Sequence, residues 1–139
     1  MREAARRDGA PSAAASRGFT LSRILIVDDE PDLRYILRRI LERAGHEVLE
    51  AGHGEAALES VRALPPALVI TDMMMPVMSG AELIRRLRAD PASLSIPILA
   101  ATSDPRLAVG ADTVLTKPYQ PVQLLAAATM LLAQKADRT

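Results

Sequence analysis

Short apolar runs alternate with stretches of helical period along most of this chain, and that alternation constrains the fold more than any other feature. Ile24-Leu25-Ile26-Val27 is mostly β-branched, the pattern of a strand buried on both faces. Leu33, Ile36, Leu37, Ile40 and Leu41 then recur at i, i+3, i+4, i+7 and i+8, one face of a helix. Pro31 suits its first turn, where the neighbouring acids favour the helix dipole, and Gly45 closes it. A weakly alternating strand over 46–50 belongs at a sheet edge. A helix over 54–64 points Ala57, Leu58, Val61 and Leu64 inward and stops at Pro65-Pro66. Further strands are predicted over 67–71, 97–101 and 113–115. Helices are predicted over 81–89, with Arg85, Arg86 and Arg88 solvated, and over 121–134, with Leu124, Leu125, Ala128, Leu131 and Leu132 inward. Pro105 to Gly110 has room for no more than a turn or so of helix. Such alternation predicts an α/β fold, a doubly wound parallel sheet with helices on both faces.

The 139 residues suit one domain, and 49% of them are hydrophobic, enough to bury a core. With two Tyr, one Phe and no Trp, that core must be built from aliphatic residues and Met. The absence of Cys excludes disulfides and Cys-ligated metals. Seventeen basic residues balance seventeen acidic ones, so there is no general pull toward nucleic acid. Residues 1–21 are rich in Arg, Ala, Ser and Gly without an apolar period; a disordered tail is expected there, followed by one domain over 22–136. Nothing has the length of a membrane span, and the N-terminus lacks the apolar segment of a secretory signal, so a cytoplasmic protein is expected.

In a parallel sheet every strand's C-terminal end lies on one edge. Asp28 and Asp29 follow the first apolar run, Asp72 ends the run Val69-Ile70-Thr71, Thr102 follows the fourth strand and Lys117 the fifth. These five residues should converge. Each alone has an ordinary reading: a helix N-cap for Asp28 or Asp29, a turn residue for Thr102, a surface lysine for Lys117. Together, three carboxylates without His or Cys form a hard oxygen set suited to Mg²⁺, with Mn²⁺ as the alternative. Asp72 is then placed to attack phosphorus, and Lys117 and Thr102 to bind phosphoryl oxygens. Of seventeen basic residues only Lys117 and Lys135 are lysine, which favours a chemical reason for an ammonium at 117.

At these residues the sequence closely resembles the receiver domain of bacterial two-component response regulators. The resemblance rests on Ile24-Leu25-Ile26-Val27-Asp28-Asp29-Glu30, on Asp72-Met73-Met74-Met75-Pro76 with Met78 and Gly80, on Thr102, and on Thr116-Lys117-Pro118-Tyr119. It spans about residues 22–135 and implies a flavodoxin-like sheet of five strands in the order 2-1-3-4-5. It further implies that Asp72 takes a phosphoryl group from the phosphohistidine of a sensor histidine kinase or phosphotransfer protein, with Mg²⁺ held by Asp28, Asp29, Asp72 and the carbonyl of Met74. Thr102 and Lys117 would contact the phosphoryl oxygens, the Lys117-Pro118 bond would be cis, and Met74 and Asp104 would tune access of the hydrolytic water. Output would pass through a downstream protein, with no direct nucleic-acid or membrane contact, from a monomer or weak dimer.

Two departures stand out. Val114 occupies the place where the family usually has Tyr or Phe. The segment between Thr102 and Lys117 is about two helical turns short, so the family's fourth helix should be shortened or missing. A phosphoacceptor signalling domain, rather than an enzyme acting on other molecules, is the leading expectation. The alternative is a phosphorylation-independent pseudo-receiver that only binds partners. A phosphatase of the haloacid dehalogenase type would need an Asp two residues after the nucleophile, where this chain has Met74.

Overall fold

A computed structural model describes residues 22–138; the disordered tail expected over 1–21 lies outside them. Among the described residues five strands form one parallel sheet: β1 (Arg23–Val27), β2 (Glu47–Ala51), β3 (Leu68–Asp72), β4 (Ile98–Thr102) and β5 (Thr113–Thr116). Their order is β2-β1-β3-β4-β5. The α-helices are α1 (Pro31–Arg43), α2 (Gly54–Ala63), α3 (Gly80–Ala89) and α4 (Pro121–Arg138). Strand order reverses between β1 and β3, which opens a crevice at their C-terminal ends.

The apolar runs became strands because they are buried from both sides. Every residue of β3 and β4 is buried, while the edge strands β2 and β5 are only partly so. Side chains alternate between two cores. Leu25, Val27, Val69 and Ala100 pack with Leu58 and Val61 of α2 and Leu83, Ile84 and Leu87 of α3. Ile24, Ile26, Ile70 and Leu99 pack with Leu37 and Leu41 of α1 and Leu124 and Leu131 of α4. Gly45, at φ 100°, closes α1 as expected: its N–H donates to the Glu42 carbonyl (2.9 Å) and that of His46 to Leu41 (3.2 Å).

Four readings are corrected. Ile36 is not core: it is 52% exposed and lines a groove between α1 and residues 117–121. Leu64 is also exposed, because α2 ends at Ala63 and the backbone leaves helical geometry there. The last helix runs past Gln134 to Arg138. Arg88 is not a solvated charge.

Between β4 and β5 only a 3₁₀ turn, Pro105–Leu107, stands where the family pattern has a helix. Arg88 holds the resulting loops in place. Its Nη1 donates to the carbonyls of Leu94 and Ile96 at 2.7 Å, its Nε to that of Gly110 at 3.2 Å, and its Nη2 to Asp112 Oδ2 at 2.6 Å. The same Asp112 oxygen accepts the Ile98 N–H at 2.7 Å. One planar fork thus ties the entry to β4 to the entry to β5. Arg88→Ala is expected to cost about 2 kcal/mol in urea unfolding, since it strands several acceptors at once. Arg88→Lys should recover only part of that, because one ammonium cannot span the fork's acceptors. An unchanged midpoint in Arg88→Ala would show that the loops hold without it.

Candidate phosphoryl-acceptor site

The switch-point crevice collects acids from two strand ends. Asp28 follows β1 directly and is 3% exposed; Asp29 beside it faces solvent. Neither caps α1. The residue at the cap is Glu30, which makes no side-chain cap, and the Asp28 carboxylate instead accepts the Glu30 N–H through Oδ1 at 2.8 Å. Asp72 ends β3 and is 9% exposed. One carboxylate oxygen from each of Asp28, Asp29 and Asp72 lies within 4.8 Å of the other two.

Lys117 reaches this cluster from the end of β5. Its backbone N–H donates to the Thr102 carbonyl (2.9 Å), extending the β4–β5 pairing, and its Nζ donates to Asp72 Oδ1 at 3.0 Å. That oxygen also accepts the Met73 N–H at 2.9 Å. Asp72 Oδ1 is therefore held by two donors, and among the described residues none donates to Oδ2. The Lys117-Pro118 bond is cis.

The electrostatics match this arrangement. Burial pushes the Asp28 carboxyl above its ordinary pKa, and repulsion from Asp72 and Asp29 adds to it, against the Glu30 N–H and the Lys117 charge. Burial works against the Lys117 ammonium, but the hydrogen bond and charge of Asp72, with Asp28 behind it, outweigh that and raise its pKa. Asp28 thus bears both burial and like-charge repulsion, which a cation held among the three carboxylates would relieve. The donors fit a hard divalent cation: all are carboxylate oxygens, with no imidazole or thiolate.

Thr102 is 1% exposed at the end of β4, but its hydroxyl belongs to a local turn, accepting the Asp104 N–H at 3.1 Å and donating to the Asp104 carbonyl at 3.3 Å. Asp104 accepts both the backbone N–H and the guanidinium of Arg106. The hydrogen bonds of these two side chains go to each other's turn and to Arg106, and none goes to Asp72. The methionine run divides: Met73 and Met75 are core, whereas Met74 is 66% exposed on the rim.

The loop after Asp72 is strained at one point. Val77 sits at φ 69°, and the Met78 N–H donates across it to the Pro76 carbonyl at 2.8 Å. This is a tight turn in the left-handed region, unfavourable for a β-branched residue. Val77 is fully solvent-exposed, so replacing it loses no packing. Val77→Gly is expected to stabilise the fold by about 1 kcal/mol, since glycine adopts positive φ without a Cβ clash. A melting temperature equal to or below that of the wild type would contradict this.

Arg34 was missed in the sequence. It lies one turn into α1, and its Nη1 donates to the backbone carbonyl of Asp28 at 2.6 Å. No side-chain pattern marks such a contact, because the acceptor is main chain.

Comparison with known proteins places these features in a family. The family profile "Response regulator receiver domain" matches residues 24–129. The phosphate regulon transcriptional regulatory protein PhoB of Pseudomonas aeruginosa is 41% identical over 110 residues, covering 74% of this chain and 48% of that protein. The DNA-binding response regulator MtrA of Mycolicibacterium smegmatis is 38% identical over 120 residues, 83% of this chain and 52% of that protein. The chain thus spans about half the length of the curated relatives it matches. The chemotaxis response regulator CheY4 of Vibrio cholerae superimposes with a TM-score of 0.75 at 33% identity, covering 81% of this chain and 99% of that one.

Proposed function

Because the chain belongs to the response regulator receiver family, we propose that Asp72 accepts a phosphoryl group from the phosphohistidine of a sensor histidine kinase or phosphotransfer protein. The observation that carries this is the division of labour on Asp72: Met73 and Lys117 hold Oδ1, and Oδ2 keeps its lone pairs for attack. In the transfer, Oδ2 forms a bond to phosphorus, the phosphorus–nitrogen bond of phosphohistidine breaks, and the imidazole nitrogen keeps that electron pair. Lys117 stays beside the forming acyl phosphate and offsets charge on its oxygens. Asp28, Asp29, Asp72 and the carbonyl of Met74 would hold Mg²⁺, which neutralises phosphoryl charge when bound. Thr102 would contact the phosphoryl group only after its hydroxyl leaves the Asp104 turn. Residues 22–136 would act as one receiver unit that signals through protein contacts without itself binding nucleic acid.

The test is intact mass after incubation with acetyl phosphate and Mg²⁺. A phosphoryl adduct that disappears on chelation supports the reading. Absence of an adduct, with a beryllofluoride titration also showing no binding, would leave the pseudo-receiver, a module that binds partners without phosphate. Val114 in place of an aromatic is the observation that keeps this second reading in view.

A further inference from the structure

The Asp28 backbone is held at every polar atom. Its N–H donates to the Ala51 carbonyl at 3.1 Å, the last rung between β1 and β2. Its carbonyl accepts Arg34 Nη1 at 2.6 Å, and its Oδ1 accepts the Glu30 N–H at 2.8 Å. The Arg34 guanidinium is itself fixed. Its Nε donates to Glu50 Oε1 at 3.0 Å, and the other oxygen of Glu50 accepts Arg38 Nη1 at 2.8 Å. Gly52 leaves the space the guanidinium fills, since a Cβ there would come to 3.3 Å from Nη1. Arg34 is only 18% exposed. Its charge is spent on Glu50, outside the acid cluster, and its contact with the cluster is to main chain.

We infer that Arg34 is a positioning residue: it locks the Asp28 backbone so that the carboxylate is already placed for a divalent cation. This rests on the reading of the acidic cluster as a metal site. A cation that demands near-octahedral oxygens gains from ligands that need no ordering on binding, and groups that orient ligands typically carry a roughly tenfold to hundredfold share of affinity. Arg38 serves as the internal comparison. It shares Glu50 but does not touch Asp28.

The experiment is a Mg²⁺ titration of the full chain, followed by the amide resonances of residues 28 and 72, with melting temperature measured alongside without metal. Arg34→Ala should weaken Mg²⁺ binding roughly tenfold or more. Arg38→Ala should lose some thermal stability yet bind Mg²⁺ as the wild type does. Arg34→Lys, which keeps the charge and most of the stem, should fall between wild type and Arg34→Ala in affinity while melting near the wild type. Wild-type affinity in a folded Arg34→Ala would overturn the inference, and so would equal weakening in Arg38→Ala. If Arg34→Ala does not fold, Arg34→Lys decides: weakened binding supports positioning, and unchanged binding overturns it. A wild type that binds no Mg²⁺ overturns the metal-site reading itself, an outcome distinct from one in which only the variants fail to differ.

Discussion

Asp72→Asn is expected to accept no phosphoryl group from acetyl phosphate while folding as well as the wild type. Asparagine has the same shape, and its carbonyl oxygen can still accept from Met73 and Lys117, the two donors now on Oδ1. What it lacks is a nucleophilic carboxylate oxygen, so the loss should be complete rather than graded. Stability should hold, because relief of the repulsion Asp72 exerts on the buried Asp28 carboxylate offsets loss of the Lys117–Asp72 charge pair. Lys117→Met should behave differently. It keeps the acceptor but removes the ammonium that donates to it, so labelling should slow by roughly a hundredfold or more without vanishing. Intact mass over time, with a thermal melt on each variant, checks both. An adduct on Asp72→Asn would move the acceptor elsewhere and undo the proposed function.

The parts of this molecule that could be read in the sequence are those whose partners are side chains or whose signal is periodic. Strand ends were legible because β3 and β4 are buried on both sides and so appear as unbroken apolar text that stops at a polar residue. Convergence of Asp28, Asp72 and Lys117 then followed from parallel strands alone, and the short text between Thr102 and Lys117 announced the missing helix. Arg34 and Arg88 could not be read, because most of their acceptors are backbone carbonyls, which every residue carries. Ile36 misled for a related reason. A helical stripe gives the apolar arc of α1 but not how much of it the neighbouring elements cover, and here α4 and the sheet cover Leu37 and Leu41 and stop short of Ile36. The local bonding of the Thr102 hydroxyl was hidden too, since it depends on the conformation of a two-residue turn.

Gly80→Ala is expected to be the most damaging conservative change to the fold, costing about 3 kcal/mol. The Gly80 N–H donates to the Met73 carbonyl at 3.0 Å, which brings the start of α3 against the end of β3. A Cβ at Gly80 would lie 2.3 Å from the Asp72 carbonyl oxygen and 2.6 Å from the Met73 Cα. Both are backbone atoms, so no rotamer change relieves the overlap; either α3 lifts or the end of β3 moves, and Asp72 moves with it. Gly52→Ala makes a useful contrast, since its nearest contact is the end of the Arg34 side chain at 3.3 Å, which can shift by tenths of an ångström. Denaturant unfolding should therefore separate the two glycines. At low temperature, where Gly80→Ala remains folded, phosphorylation by acetyl phosphate should also be slower than in the wild type, because small displacements of a reacting group carry large rate penalties. If Gly80→Ala unfolded at the wild-type midpoint and labelled at the wild-type rate, the close packing of α3 on β3 would not be what holds Asp72 at the crevice.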